Sequence, residues 1–140
     1  MQSNSFSLQA IGIVRSPLKN PADAPKQGGE GAPEAWIELK ERFLPALLGM
    51  KTGQEILLIT WLHQAKRDIL QNHPRADKRR PLSGVFSTRS PHRPNPLGLH
   101  RVSVRAIEGN SLLVFPLEAI DGTPVVDIKS VSHTSDYGLP

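Results

Sequence analysis

Apolar and polar residues alternate along this chain in short runs, and no run keeps a helical period for long. Leu8-Gln9-Ala10-Ile11-Gly12-Ile13-Val14 is apolar and rich in branched side chains, and it stops at Arg15-Ser16-Pro17, which predicts a strand. Ala35-Trp36-Ile37-Glu38-Leu39 alternates as a second strand. From Glu41 to Leu48, Phe43, Leu44, Leu47 and Leu48 share one face with Pro45 early in the segment, which predicts a short helix. Glu55 to Leu62 is nearly all apolar, the pattern of a central strand buried on both faces, and it runs into His63-Gln64. Val85-Phe86-Ser87-Thr88 reads as a strand end. Arg101 to Ile107 alternates cleanly, turns at Glu108-Gly109-Asn110 and returns through Ser111 to Phe115 as a hairpin. Leu117 to Ile120, a turn at Asp121-Gly122, and Val125 to Ile128 predict one more pair. Residues 16–34 form a long Pro/Gly-rich loop, and residues 65–80 a polar, basic excursion. The whole predicts an all-β domain, a small barrel or sandwich with little helix.

Composition supports this picture. The 140 residues are one domain's worth of chain, and 38% are apolar, enough for a core. The 13 prolines and 11 glycines are spread throughout, which disfavours a helical bundle. With no cysteine there is no disulfide scaffold, thiolate metal site or cysteine nucleophile. No apolar run is long enough for a membrane span, and Met1 to Ser7 lacks the pattern of a signal peptide, so a soluble, cytoplasmic protein is expected. The net charge of +4 is uneven: between Arg75 and Arg105 stand eight Lys or Arg and one acid, Asp77. Such a block suits a polyanion such as RNA, or the phosphates and carboxylates of a small ligand.

Candidate chemistry is densest at Ser87-Thr88-Arg89-Ser90-Pro91-His92-Arg93-Pro94-Asn95-Pro96-Leu97-Gly98. Its prolines fix φ and remove backbone donors, so Arg89, His92, Arg93 and Asn95 stand on a stiff loop with little entropy left to lose on binding. Arginine forks suit carboxylates and phosphates, although the same loop could be a rigid connection with its arginines in water. His63 and Gln64, after an apolar strand, are placed to line a crevice or to cap the sheet. Asp127 and Lys129 share a strand face and suit a surface ion pair. Gly28-Gly29 would let a ligand approach backbone amides. Neither a Rossmann nor a Walker A glycine pattern occurs, and no histidine pair has metal-binding spacing.

Taken in order, Ile11-Gly12-Ile13-Val14-Arg15-Ser16-Pro17, Pro25-Lys26-Gln27-Gly28, the strand ending His63-Gln64, Gly84 to Gly98, and Asp121-Gly122-Thr123-Pro124-Val125-Val126-Asp127-Ile128-Lys129 resemble the TsaA-like (YaeB/TrmO) family. The resemblance spans nearly the whole chain. It implies a compact β-barrel with one or two short helices, a single domain over 1–140 with its ordered core at about 8–130, and assembly as a homodimer. It further implies S-adenosylmethionine as cofactor and methylation of the exocyclic amine of threonylcarbamoyl-modified adenosine next to a tRNA anticodon, with no DNA, membrane or metal partner. Carried over by motif, the cofactor site comprises Gln27, Gly28, Gly29, His63, Gln64, Arg89, Leu99, Phe115, Pro116, Leu117 and Glu118. On the tRNA side stand Arg79, Arg80, His92, Arg93, Asn95, Asp121, Asp127 and Lys129. Among the cofactor residues Glu118 is the carboxylate available to a sulfonium. The base that takes the amine's proton is left open among Asp121, Asp127 and His92. The sequence departs from the family at Ser130-Val131, where Pro-Tyr is common, and the further C-terminal domain of the family's bacterial tRNA enzyme is not expected in a chain that stops about a dozen residues past its last motif.

Overall fold

The structure, a computed structural model, describes residues 4–26 and 28–131. Eight strands form among them: β1 (Gly12–Arg15), β2 (Ala35–Leu39), β3 (Glu55–Trp61), β4 (Gln71–Asn72), β5 (Ser83–Gly84), β6 (Leu97–Glu108), β7 (Ser111–Phe115) and β8 (Pro124–Ser130). Six close into an antiparallel barrel in the order β1-β2-β7-β6-β3-β8, with β8 pairing back onto β1, while β4 and β5 make a small separate ribbon. The predicted all-β barrel is what the chain adopts. Closure leaves no exposed sheet edge around most of the wall.

Alternation along each strand sends one set of side chains inward. Val14, Ile37, Ile56, Leu58, Val102, Val104, Leu112, Val114 and Val125 fill the interior, all at most 1% exposed. Gly12 lies where β1 crosses β2 so closely that a Cβ would fall 2.5 Å from the Glu38 carbonyl oxygen.

Three sequence expectations are corrected, and a fourth, the short helix, forms in a tighter kind. Strand β3 is buried on one face only: Ile56, Leu58 and Thr60 point inward, while Leu57, Ile59 and Trp61 stay half-buried outside. Its unbroken apolar run reflects an apolar outer wall, continued by exposed Leu97 and Leu99 opposite Trp61 and Ile59. Residues 117–120 form no strand. Leu117, Ala119 and Ile120 are buried as a plug, and the backbone N–H groups of Leu117 and Asp121 bond to the carbonyls of Pro33 and Leu18 in the long loop. Val85–Ser87 is a 3-10 turn with Val85 buried, where a strand end is expected. Glu41–Leu47 is a 3-10 helix, since Pro45 inside it has no N–H to give to an α-helical bond. Every helical segment among the described residues is of this tight, short kind.

The longest strand positions the site. β6 pairs with β3 over Leu97–Ser103 and with β7 over Ser103–Glu108, with a register irregularity between Val104 and Ala106. Strand β7 ends at Phe115, opposite Ser103, so the edge of Leu97–Val102 that faces away from β3 carries no strand. The chain leaves β7 through a cis peptide at Phe115–Pro116 and runs on as the plug.

Candidate functional site

Along that open edge, consecutive residues of β6 hold an anion and a cation. His100 points inward and is buried; its Nε2 lies 2.7 Å from Thr60 Oγ1 on β3, and its Nδ1 bonds to a carboxylate oxygen of Glu118 on the plug. A carboxylate only accepts, so Nδ1–H donates to Glu118, while Nε2 shares its hydrogen bond with the Thr60 hydroxyl. Gly98 makes this possible, because a Cβ there would sit 2.7 Å from His100 Nε2 and closer still to Thr60 Oγ1. The Glu118 side chain keeps 19% of its surface accessible, against 5% for His100, so the chain of bonds opens outward at the carboxylate. One residue back, the exposed Arg89 donates from Nη2 to the Leu99 carbonyl at 3.3 Å, the one bond it makes among the described residues.

The segment after β7 is stitched to both ends of the 16–34 loop. Leu117 N–H donates to Pro33 O (3.0 Å), Asp121 N–H to Leu18 O (2.7 Å), and Ser16 N–H to Asp121 Oδ1 (2.9 Å), with Lys19 Nζ 3.2 Å from Asp121 Oδ2. The Ser16 amide, then Lys19, hold the Asp121 carboxyl below its ordinary value. Gly28 and Gly29 lie on this loop in the 3-10 turn Gly28–Glu30, and Glu30 bonds Arg75 at 2.6 Å. Gln27 lies outside the described residues.

The proline motif docks on the turn after β3. Leu62 N–H donates to Pro96 O, Lys66 N–H to His92 Nδ1, and Arg93 N–H to Lys66 O. Arg67 stacks over Trp61 and donates to Pro94 O at 2.7 Å and to Asn95 Oδ1 at 3.1 Å. Arg93 gives its guanidinium to three backbone carbonyls, those of Val85, Thr88 and Ser90, each within 2.8 Å. That arginine holds the motif's shape. His63 and Gln64 are exposed on the same turn, beside the start of β6. Asn72 Nδ2 donates to Ser90 Oγ, and its buried Oδ1 has no hydrogen-bond partner among the described residues.

Geometry narrows the open choice of proton acceptor. His92 Nδ1 accepts a backbone N–H, so its other nitrogen carries the proton. Both oxygens of Asp121 are engaged. Asp127 stands on the outer wall, accepting Ile128 N–H and lying 3.6 Å from Lys129, the expected surface pair. Elsewhere in the basic block, Arg79 and Arg80 both face Asp77, whose carboxyl Arg79 holds below its ordinary value. Arg101 pairs with Glu55, and Arg105 lies over the Phe115 ring. The block's net charge is therefore partly matched by carboxylates around it, including Glu30 and Glu55 from outside.

The structure thus gathers Arg89, Leu99, Phe115, Pro116, Leu117 and Glu118 along one edge, with the glycine loop tied to the plug and His63-Gln64 at the strand's start. Arg79 and Arg80 stand apart on the exposed excursion, and Asp127 and Lys129 on the wall. Sequence reasoning missed Thr60, Gly98, His100, Arg67 and Asn72. A signal for His100 was present, since Gly98, His100, Val102 and Val104 share one parity. A strand begun at Arg101 hides it.

Residues 13–137 match the model of the tRNA-methyltransferase O N-terminal domain. A probable S-adenosyl-L-methionine-binding protein of Archaeoglobus fulgidus is 43% identical over 129 residues, 92% of this chain and 35% of that protein. One of the same description from Methanothermobacter thermautotrophicus is 40% identical over 129 residues, 92% of each. The crystal structure of TrmO from P. aeruginosa superposes with a TM-score of 0.77 at 30% identity, covering 96% of this chain and 58% of that one.

Proposed function

The chain belongs to the family of the tRNA-methyltransferase O N-terminal domain, and on that premise we propose that it binds S-adenosylmethionine at the open edge of β6 and acts as a methyltransferase. The observation that carries the reading is the pairing on Leu99 and His100 of an outward arginine with a held carboxylate. The cofactor's carboxylate suits Arg89, and its sulfonium suits Glu118. Gly28 and Gly29 offer backbone amides free of side chains. When bound, the cofactor supplies an electrophilic methyl group. The chain's own work is to orient and to exclude water: the proline motif, braced by Arg67 and Arg93, and the plug, braced by Pro33 and Leu18, hold the two sides of the edge in fixed relation.

The substrate we infer is a nucleobase amine in RNA, more narrowly the exocyclic amine of threonylcarbamoyl-modified adenosine in tRNA. The family and the basic excursion at Arg79 and Arg80 support this. We further infer a homodimer, in which a second copy covers the apolar wall of Leu57, Ile59, Trp61, Leu97 and Leu99; a specific interface would bury on the order of 1,200–2,000 Å² in total. Calorimetric titration with S-adenosylmethionine tests the cofactor, methyl incorporation into bulk tRNA tests the reaction, and sedimentation with and without cofactor tests the dimer. Binding without incorporation would leave a cofactor-binding module. No binding would overturn the reading.

A further inference from the structure

The buried chain Thr60–His100–Glu118 has the composition of a hydrolytic triad, hydroxyl to imidazole to carboxylate, but the opposite exposure. Thr60 is fully buried, so its hydroxyl reaches no substrate, and the end that meets solvent is the carboxylate. A buried imidazole with both nitrogens engaged is a rigid support. It has one inward-facing position on β6, one partner on β3 and one on the plug, and Gly98 keeps the space between them clear. Such an arrangement fixes the rotamer of Glu118 and satisfies one of its oxygens, leaving the rest of its charge to face the edge where Arg89 stands.

We propose that His100, backed by Thr60, is a positioning residue that makes Glu118 a fixed negative charge and so sets how strongly the site prefers a sulfonium cation over the neutral thioether left after methyl transfer. The proposal rests on the cofactor reading above. It gives the support a specific consequence. S-adenosylmethionine and S-adenosylhomocysteine share adenine, ribose and amino-acid groups and differ by a methyl group and a positive charge. A general loss of structure weakens both; a displaced carboxylate weakens only the charged one.

The experiment is calorimetric titration of both compounds into the full chain and five variants, with near-ultraviolet circular dichroism and thermal melts as the check on folding. His100→Phe keeps a ring and removes both nitrogens. It is expected to lower the affinity ratio of S-adenosylmethionine to S-adenosylhomocysteine by about tenfold, the size of one hydrogen bond to a charged group. Thr60→Val, which frees only Nε2, should lower it by about threefold. His100→Asn retains a donor near the Nδ1 position and should restore most of the ratio. Glu118→Gln should lower the ratio at least as far as His100→Phe, and adding His100→Phe to it should change the ratio no further. If His100→Phe does not fold, Thr60→Val and His100→Asn decide. A ratio unchanged in Thr60→Val and equal in both His100 variants overturns the proposal, as does a parallel loss of both compounds in folded His100→Phe. Failure of the unaltered chain to bind either compound overturns the cofactor reading itself and this proposal with it.

Discussion

Glu118 and Asp121 lie three residues apart on the same plug, and both carboxylates are held, yet by different means. Asp121 is held by a backbone amide and an exposed ammonium: Ser16 N–H and Lys19 fix it at the mouth of the long loop, and its carboxyl sits below the ordinary value for that reason. Glu118 is held by a buried side chain that itself rests on another strand. The first arrangement uses the charge up in folding, closing a loop between β1 and β2. The second supports the charge from behind and leaves its front to the site. A carboxylate's neighbours therefore tell whether it belongs to stability or to binding, and the distinction can be tested.

The largest effect is expected at Gly98. Gly98→Ala drives a methyl group against Thr60, His100 and Leu62, which should destabilise the fold by about 3 kcal/mol and lower Tm by several degrees. The same change should disturb cofactor preference, because two of the crowded groups are the supports of Glu118. A melt unchanged from the parent would show that the three groups move aside freely, and the rigid-support argument would fail. Next comes Arg89→Ala. It should weaken S-adenosylmethionine by about 1.5–3 kcal/mol, one charge-assisted bond, while leaving the melt alone, since Arg89 is exposed and holds a single carbonyl. Unaltered affinity would remove Arg89 from the site.

Asp121 should behave in the reverse sense. Asp121→Ala costs about 1 kcal/mol of stability with cofactor affinity preserved. Its carboxyl is depressed in the fold, so its contribution is present in full above the ordinary value of 3.8 and is lost as pH falls through the lower folded value. Asp121→Asn keeps an acceptor for Ser16 and drops the charge. The stability gap between parent and Asn variant, measured by denaturant titration from pH 6 down to 2, should shrink only at the acid end. A gap that stays constant with pH would mean the charge contributes nothing.

Much of the barrel was legible because alternation is a local signal: β2, the β6–β7 hairpin and β8 lie close to where apolar and polar residues alternate. What misled was apolar content without position. Leu57, Ile59 and Trp61 are as apolar as Ile56 and Leu58, and only closure of the barrel decides which set faces in. Leu117, Ala119 and Ile120 carry a strand's composition and serve as a plug, since the backbone partners of this stretch, Pro33 for Leu117 and Leu18 for Asp121, lie far back toward the start of the chain. The site divides along the same line. Arg89 and Glu118 stood in recognisable motifs, whereas Thr60 and His100 sit forty residues apart and acquire meaning only from the β3–β6 register. Arg93 is the converse case, an arginine in the most specific motif that spends its donors on three local carbonyls.

The smallest expected effect on the fold comes from the basic excursion. Arg79 and Arg80 face Asp77 at the surface, where solvent screens such pairs, so reversing both to glutamate should leave the melt unchanged within error. Cofactor affinity should also hold, since neither side chain touches the open edge of β6. The consequence should fall on RNA alone. If the excursion contacts phosphates, the parent's affinity for tRNA declines by about 0.7–0.9 log units per contact for each log unit of salt, and the double reversal lowers that slope. Measuring tRNA affinity by filter binding across a salt series, for parent, double reversal and Arg89→Ala, separates the two roles. A slope that drops with Arg89→Ala and not with the reversal would place the RNA contact at the cofactor edge and leave Arg79 and Arg80 as partners of Asp77 only.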